Sequence, residues 1–503
     1  MPTKERTPTF TVELALSVDT VNERFLSKAF LLGTQIQNGT LSVTMGRLQH
    51  LRESPAWREA QNMPDGAAKT KRFSELRKNA GLNQNSCRKL ANDIRKKTNR
   101  GHLLGAHEAE NLGDRVWQAV EAYMFGEGGR LRYKSTKKES RGLHSISGTD
   151  NREIIYHPGS GEIYWRKHHL KIIEEDTPYL REAIADPNSP SGLKTVKFCR
   201  IVWRRINGTK RWFVQLALEG IPPQRIIPAP QDIVMGIDPG PSKIAYFTEQ
   251  KADIIAVSKT IEKQEKEIAD LNRRIDRSRR ANNPDNYNED KTIKPGPKEW
   301  KVSKAQKKLE IKRNDLYRRL TAARKDEHGR IINLLIQMAG TIKIEKNSYL
   351  SFQRGLFGKS SNRYAMGAFM ERLIRKAEKA GCKVVLLDAR KYRMSQYDPV
   401  SGEYVKKPLS QRWHVLADGS MRIQRDILSA LLAFCAEDNG HNQSKILKVL
   451  AAAEELLRDS GWCRDLPRST AVEVSASTKV SEMPHGESCG HNGQADCPKR
   501  PVQ

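Results

Sequence analysis

The sequence is poor in long apolar stretches. None of its 503 residues belongs to an apolar run of eighteen or more, which is the length that predicts a membrane-spanning helix. The opening residues, MPTKERTPTFTVELAL, also lack the apolar core of a signal peptide. We therefore expect an intracellular protein without a membrane partner.

Cysteine is equally scarce and never paired. The seven cysteines lie singly at positions 87, 199, 382, 435, 463, 489 and 497, and no CxxC motif occurs. This scatter argues against a disulfide framework and favours reduced thiols. Cys489, His491 and Cys497 in CGHNGQADC offer only three ligands, whereas a structural zinc site needs four, so we predict no zinc there.

Acidic residues are too few to balance the basic ones. The chain has 59 Asp and Glu against 88 Lys and Arg, a net charge of +29. An excess of this size favours a polyanionic partner, and nucleic acid is the leading candidate. We accordingly place the protein in the cytoplasm, associated with the nucleoid if the cell is prokaryotic.

Two basic regions are candidates for nucleic-acid contact. Residues 68–100 hold eleven Lys and Arg but only two acids, which is too one-sided for ordinary salt bridges along a solvated helix. The second region is a helical pair in the C-terminal half, and a shorter pair of lysines follows it. The candidate contacts are Lys69, Lys71, Arg72, Arg77, Lys78, Arg88, Lys89, Arg95, Lys96, Lys97, Arg273, Arg274, Arg277, Arg280, Lys307, Lys308, Arg319, Lys406 and Lys407.

Hydrophobic periodicity predicts a mixed α/β chain with several domains. Apolar residues alternate from Phe10 to Leu16 and again after Asn207-Gly208, so residues 1–20 and 130–230 are expected to form one β-rich domain. A helical block, 21–129, interrupts it, and Asp19 is positioned to cap its first helix.

A second domain is predicted over residues 231–440. Its expected strands lie at 233–238, 242–248, 253–257, 341–346 and 382–388, with a helix near 362–380. A helical insertion, 258–340, carries apolar residues at heptad spacing, which predicts two packed helices. Residues 441–503 are expected to form one helix, from Ser444 to Arg458, and a polar, disordered tail.

Three acids in this second domain have apolar neighbours. Asp238 ends a strand in VMGIDPGPSKIAYF, Glu345 ends another in TIKIEKN, and Asp426 begins the apolar helix of RIQRDILSALLAF. Each alone reads equally well as a turn, surface or helix-end residue. Together they could hold two Mg²⁺ ions about 3.5–4 Å apart around a phosphodiester, because clustered carboxylates supply hard oxygen ligands that the cations neutralise.

The segments GIDPGPSKIAYF, IKIEKN, KVVLLDA and QRDILSALLAF, in this order, resemble the split RuvC nuclease domain of TnpB nucleases and compact type V CRISPR effectors. The resemblance implies a ribonuclease H-like fold preceded by a β-rich wedge domain with an inserted helical recognition domain. It also implies that Asp238, Glu345 and Asp426 are the catalytic Mg²⁺ ligands, for which Mn²⁺ can substitute.

By the same resemblance, the partners are a guide RNA and a double-stranded DNA target. The guide pairs with one DNA strand beside a short flanking motif, and the single RuvC site cuts. Two features depart from the family. The target-binding-like segment 390–414 lacks the four zinc-ribbon cysteines, so we expect a metal-free hairpin around Pro399–Gly402, and Leu428 replaces an Asn usually found two residues after the third acid.

Three other functions remain open at this point. A guided DNA binder without cleavage would share the basic surface, although it would not need the three acids. A transposase or resolvase that works without RNA would need protein elements that read bases. An RNA chaperone is the least favoured, because it has no use for acids at strand and helix ends.

Overall fold

The computed structural model describes residues 8–144, 154–173, 177–187, 189, 192–223, 226–257, 261–347, 349, 358, 363–408 and 410–465. The predicted mixed α/β architecture is confirmed. The helices are α1 (Thr20–Glu53), α2 (Pro55–Asn62), α3 (Ala67–Asn79), α4 (Gln84–Lys97), α5 (Ala106–Met124), α6 (Pro178–Ile184), α7 (Ile261–Asn282), α8 (Lys304–Met338), α9 (Met366–Ala380), α10 (Ala389–Tyr392), α11 (Arg425–Cys435), α12 (Gln443–Ala452) and α13 (Glu454–Asp459).

The strands form three sheets. They are β1 (Thr9–Ser17), β2 (Gly142–His144), β3 (Ile154–His157), β4 (Glu162–Trp165), β5 (His168–Ile173), β6 (Val196–Ile206), β7 (Thr209–Glu219), β8 (Val234–Pro239), β9 (Lys243–Phe247), β10 (Ala252–Ala256), β11 (Thr341–Lys346), β12 (Lys383–Asp388), β13 (Trp413–Val415), β14 (Arg422–Gln424) and β15 (Cys463–Arg464). Their orders are β2-β6-β7-β1-β5-β4-β3, β10-β9-β8-β11-β12 and β13-β14-β15.

The first strand belongs to the seven-stranded sheet, as its alternation predicts. β1 lies between β7 and β5 and is antiparallel to both. Phe10, Val12, Leu14 and Leu16 are all buried in the core of this sheet. A strand that starts the chain is thus completed by strands more than 130 residues away in sequence.

Helices α1 to α5 occupy the chain between β1 and β2. Asp19 caps α1 as predicted, because its carboxylate accepts a hydrogen bond of 2.7 Å from the backbone N–H of Asn22. The β6–β7 hairpin also follows its turn chemistry, with φ of +51° at Asn207 and +81° at Gly208. Short helix α6 was not predicted; Thr177 caps it and accepts from Leu180 N–H at 3.2 Å.

The five-stranded sheet has two covered faces. β8, β11 and β12 run parallel, whereas β9 is antiparallel to its neighbours β8 and β10. Met235 and Ile237 of β8 pack on one face with residues of α8 and α9, while α11 packs against the other. Because side chains alternate along a strand, Gly236 and Asp238 face α11.

The predicted helical pair corresponds to α7 and α8. The heptad spacing predicts buried side chains at Ile268, Ile275, Leu316 and Leu320, and all four are buried. The side chain of Ile261, the first predicted position, lies outside the described part of the structure. The second half of α8 continues into the core beneath the five-stranded sheet. This helix therefore joins the insertion to the sheet directly.

The C-terminal helix prediction was wrong. Instead of one helix from Ser444 to Arg458, α12 and α13 are separated at Ala453, whose ψ of 0° departs from α-helical geometry. The chain then returns as β15 to pair with β14. Residues 466–503, with the predicted tail and the CGHNGQADC segment, lie outside the described part of the structure. Within that described part, no helix combines the length and apolarity needed to cross a membrane.

Candidate active site

Two of the three predicted acids end neighbouring parallel strands. Ile237 of β8 pairs with Ile344 of β11, and the next residue on each strand is Asp238 and Glu345. Adjacent strands lie about 4.8 Å apart, so the two acidic residues lie side by side at the edge of the sheet. Both residues alternate with core positions and therefore project toward α11.

Helix α11 brings the third acid to the same edge of the sheet. Asp426 lies in its first turn. The helix can lie directly on β8 because Gly236 has no side chain: a Cβ there would be only 2.0 Å from the carbonyl oxygen of Ala430 and 2.3 Å from the nitrogen of Phe434. The three carboxylates, 188 residues apart at the extremes, line one cavity of about 590 Å³.

Lys343 of β11 binds the C-terminal end of α11. Its ammonium donates to the carbonyl oxygens of Phe434 at 3.0 Å and Ala436 at 2.6 Å, near the C-terminus of α11. Lys343 lies two residues before Glu345 on β11 and so shares its face of the sheet. The same strand therefore anchors the helix and presents an acid.

Burial and neighbouring charge disfavour the ionised form of Asp238. Burial, together with the charges of Glu345 and Asp426, raises the pKa of Asp238 well above its usual value, and Arg425 opposes this shift. Burial also raises the pKa of Glu345, against a hydrogen bond from Asn347. A cation placed among the three groups would favour their charged forms.

Two amide side chains orient the acids. Asn347 Nδ2 donates at 3.4 Å to Glu345 Oε2 and at 3.4 Å to the carbonyl oxygen of Pro239. Gln424 caps α11 by accepting from Ile427 N–H at 2.8 Å, and its Nε2 donates to Asp426 Oδ2 at 3.1 Å. Sequence reasoning did not identify either amide, although each lies two residues from a predicted acid.

Arginines supply positive charge around the acids. Arg393, Arg412 and Arg425 line the same cavity. Arg425 Nε is 3.8 Å from Asp426 Oδ1, and its backbone N–H donates to the carbonyl oxygen of Arg412 at 2.9 Å. Arg393 adopts φ of +41°, a strained value for a residue other than glycine, and its guanidinium lies 4.2 Å from the centre of the Tyr404 ring.

The hairpin expected around Pro399–Gly402 is present. Asp398 N–H donates to the carbonyl oxygen of Glu403 at 2.9 Å, and the carboxylate of Asp398 accepts from the N–H groups of Val400 and Ser401 at 2.9 and 3.0 Å. Its second oxygen lies 2.7 Å from Nε2 of buried His414. A buried carboxylate–histidine contact therefore holds this segment together.

The donor set matches magnesium in kind. Three carboxylates facing one cavity provide hard oxygen ligands. Burial, with the charges of Glu345 and Asp426, raises the pKa of Asp238, and a bound cation would offset this cost. The side chains are not closed around one point: over the described ranges, no group of three or more Asp, Glu, His and Cys is arranged tightly enough to hold a metal ion. The three acids thus suit magnesium by the chemistry of their oxygen atoms and by their position in one cavity.

Leu428 stands where the resembling nucleases usually have Asn, two residues after the third acid. Its side chain is buried among the apolar residues between α11 and the sheet. The position two residues after Asp426 therefore serves the core here, and the second polar group beside Asp426 is Gln424 on its other side.

The predicted nucleic-acid contacts lie in three places. Ten are on α3 and α4, seven on α7 and α8, and Lys406 and Lys407 follow the hairpin. Most are exposed, but Arg88 makes two hydrogen bonds to Asp114, at 2.6 and 2.8 Å, and Arg95 donates to the carbonyl oxygen of Leu104 at 3.1 Å. Arg88 and Arg95 thus have structural partners, and the role of the set in binding stays a prediction.

Comparisons with known proteins gave structural matches only. No family model matches the chain, and no curated protein matches it. A Cas12f1–sgRNA–target DNA complex is 12% identical and has a TM-score of 0.42, over 84% of this chain and 98% of that chain. A CRISPR–Cas12f ternary complex is 12% identical with a TM-score of 0.28, over 83% and 85%. The mini-RNA-guided endonuclease CRISPR-Cas_phi3 is 12% identical with a TM-score of 0.36, over 88% and 92%. All three scores are below 0.5, so the case for a function rests on the chain's own site.

Proposed function

We propose that this protein is an RNA-guided DNA endonuclease whose Mg²⁺-dependent active site contains Asp238, Glu345 and Asp426. One observation carries the proposal: carboxylates from two strands and a helix, distant in sequence, line a single cavity together with three arginines. Structural requirements alone do not call for this arrangement, because burial and the charges of Glu345 and Asp426 raise the pKa of Asp238, and keeping such a carboxylate ionised costs stability.

The position of the site in the sheet supports a nuclease of the ribonuclease H-like kind. In sheets with parallel strands, ligands bind beyond the carboxyl ends of the strands, and Asp238 and Glu345 lie at those ends in β8 and β11. The three acidic segments that resemble RuvC nucleases are the segments that meet here. The sheet order and the sequence resemblance thus point to the same chemistry.

Each side chain has a distinct part in such a reaction. Bound Mg²⁺ would activate the attacking water and stabilise the negative charge that develops at the phosphate. Asp238, Glu345 and Asp426 would hold it, with Asn347 and Gln424 fixing the orientation of two of the carboxylates. The arginines of the cavity would bind the phosphates that flank the scissile one, because guanidinium groups pair well with phosphate oxygens.

Guidance by RNA is supported by charge and by the sequence resemblance. A surface with a net charge of +29 suits a protein that holds nucleic-acid backbones while base pairing supplies the sequence specificity. The exposed lysines and arginines on α3, α4, α7 and α8 would provide those backbone contacts.

A cleavage assay with matched variants tests the catalytic part. D238N removes one charge with little change in shape and should abolish Mg²⁺-dependent cleavage of target DNA while leaving RNA binding intact. D232N changes an exposed acid just before β8 and should cut like the wild type. Wild-type cleavage by D238N would exclude the proposed site.

Sequencing the RNA that copurifies with the protein tests the guided part. We expect one abundant species with a constant scaffold and a variable end, and we expect cleavage to stop when this RNA is removed. Cleavage that survives ribonuclease treatment would instead favour a transposase or resolvase that works without RNA.

A further inference from the structure

A second charged cavity lies in the N-terminal half of the chain, apart from the three acids. It has a volume of about 440 Å³ and is enclosed by α5, residues 134–142 and β6. Five of its lining residues are cationic: Arg115, Lys134, Lys138, Arg141 and Arg200. None of them belongs to the basic regions singled out from the sequence.

Positive charge in this cavity is hardly neutralised. Among the described residues that line it, Glu139 is the only acid, and its carboxylate is ion-paired with Lys210 outside the cavity. The nearby carboxylate of Asp114 is bound to Arg88. Among the described residues, the five cations thus face a space lined by no carboxylate other than that of Glu139.

Arg115 and Arg200, the two central arginines, differ in their hydrogen bonds. Arg115 donates to the carbonyl oxygen of Gly142 at 2.8 Å and contacts His144 Nδ1 at 2.8 Å, where the ring nitrogen must act as acceptor. Arg200 Nε is buried and has no hydrogen-bond partner within the described residues. Gly142 leaves room for this guanidinium, since a Cβ at that position would lie 3.0 Å from Arg200 Nε.

Burial and mutual repulsion both disfavour the charged forms of these groups. Burial and the charge of Arg200 lower the pKa of Arg115 to about 10. Burial, then Arg115 and Arg141, lower the pKa of Lys134. Burial, then the charges of Arg115 and Arg200, lower the pKa of His144 to about 3, so the histidine is neutral at physiological pH. Repulsion of this kind is relieved when an anion binds.

Hydrogen bonds hold the backbone that forms the walls of the cavity. Asn38 donates to the carbonyl oxygen of Lys134 at 2.7 Å and accepts from its N–H at 3.0 Å. Trp203 Nε1 donates to the carbonyl oxygen of Ser140 at 2.7 Å, and Ser140 N–H donates to that of Phe30 at 3.0 Å. Residues 134–142 are therefore pinned to α1 and β6, and the cationic groups are preorganised for a ligand.

A larger cavity adjoins the first, and the lining residues that they share indicate a polymeric ligand. The second space has a volume of about 1060 Å³ and shares Lys138, Glu139, Arg141 and Arg200 with the first. It adds Arg205 together with Arg204 and Lys210, which are ion-paired with Glu13 and Glu139. Cations that line two adjoining cavities suit successive phosphates. Positively charged grooves that follow a flexible backbone are typical of proteins that bind single strands.

We propose that the cavity between Arg115 and Arg200 binds a phosphate group of single-stranded RNA. Ser135, which also lines it, offers a hydrogen-bond partner to a ribose 2′-hydroxyl, and DNA lacks that group. This inference rests on the proposed function, which requires the protein to bind RNA. The phosphate can be internal or at a strand end, because both present the oxygen atoms that guanidinium groups bind.

Fluorescence anisotropy with labelled oligonucleotides tests this site. The probes are one RNA sequence with a 5′-phosphate, with a 3′-phosphate and without either, and single-stranded DNA of the same sequence. R200Q should weaken RNA binding by about tenfold to 100-fold and reduce the salt dependence by about one phosphate contact. R375Q, which removes an exposed arginine from α9, is the matched control and should bind like the wild type.

Two further variants keep the test decisive. Arg141 is exposed, so R141Q should fold normally and weaken binding in the same direction even if R200Q fails to fold. G142A leaves every charge in place and should weaken binding by crowding the Arg200 guanidinium. A loss confined to phosphorylated RNA would assign the site to a strand end, and an equal loss with all three RNAs would assign it to an internal phosphate.

Wild-type affinity and salt dependence in both R200Q and R141Q would overturn the proposal. Equal losses for RNA and DNA would overturn its assignment to RNA, and absence of RNA binding by the wild type would overturn it entirely. Failure of the endonuclease proposal shows differently: D238N and wild-type protein would cut equally or not at all, while the effect of R200Q on RNA binding would persist.

Discussion

Substituting Gly236 by alanine should separate the helix that carries Asp426 from the strand that carries Asp238. The added Cβ would lie 2.0 Å from the carbonyl oxygen of Ala430 and 2.3 Å from the nitrogen of Phe434. Both are backbone atoms, so no side-chain rotation can relieve the contact. An ordinary contact begins near 3.4 Å, and α11 would therefore have to retreat by about 1.4 Å.

This displacement predicts effects on stability and on activity. Overpacking a core typically costs about 1–3 kcal/mol, which corresponds to a fall of about 2–12 °C in apparent Tm for a domain of this size. A misplacement of about 1 Å at a catalytic group can lower the rate about 100-fold. We expect G236A to lose cleavage to this degree although it leaves all three carboxylates unchanged.

Thermal denaturation and the cleavage assay together check this expectation. G329A is the matched control: Gly329 lies within α8, and a Cβ there would meet nothing within 4 Å. Alanine at an open helical site should be neutral or stabilising by up to about 1 kcal/mol. If G236A melts and cuts like G329A, the close approach of α11 to β8 does not set the site.

Three other substitutions have defined outcomes. K343M removes the donors that hold the C-terminal carbonyls of α11 and should lower stability by about 1–3 kcal/mol, seen as a lower melting temperature; an unchanged value would contradict the anchoring role. D398A removes the carboxylate that contacts buried His414 and also removes the hairpin's turn contacts, so backbone amides of residues 396–405 should exchange hydrogen faster. A chelator added to the wild type should leave these exchange rates unchanged. Because the pKa of His144 is lowered to about 3, its contribution is full above pH 6.5 and is lost as the pH falls, by about 2 kcal/mol at pH 5. H144N should therefore flatten the dependence of the melting temperature on pH between 7.5 and 5, and a slope equal to that of the wild type would refute the assignment.

Local patterns predicted the elements of the site closely. The strands ending at Asp238 and Glu345 are within one residue of their expected bounds at those ends, because alternating or continuous apolar residues followed by a turn signal leave few other conformations. Asp19 and Asn207-Gly208 acted as the cap and the turn that their chemistry favours. The break between α12 and α13 was missed, since the sequence there contains no glycine or proline to mark it.

The sequence by itself determined the charge, the strand ends and the three acids, because these depend on residue type and on neighbours along the chain. Only the tertiary structure decided that β8 lies beside β11, that Gly236 admits α11, and that Gln424 orients Asp426. The cationic cavity at Arg115 and Arg200 was likewise invisible in sequence, since its members come from a helix, a loop and a strand. Such contacts join residues that are far apart along the chain, and their proximity follows from how helices and sheets pack rather than from any local pattern.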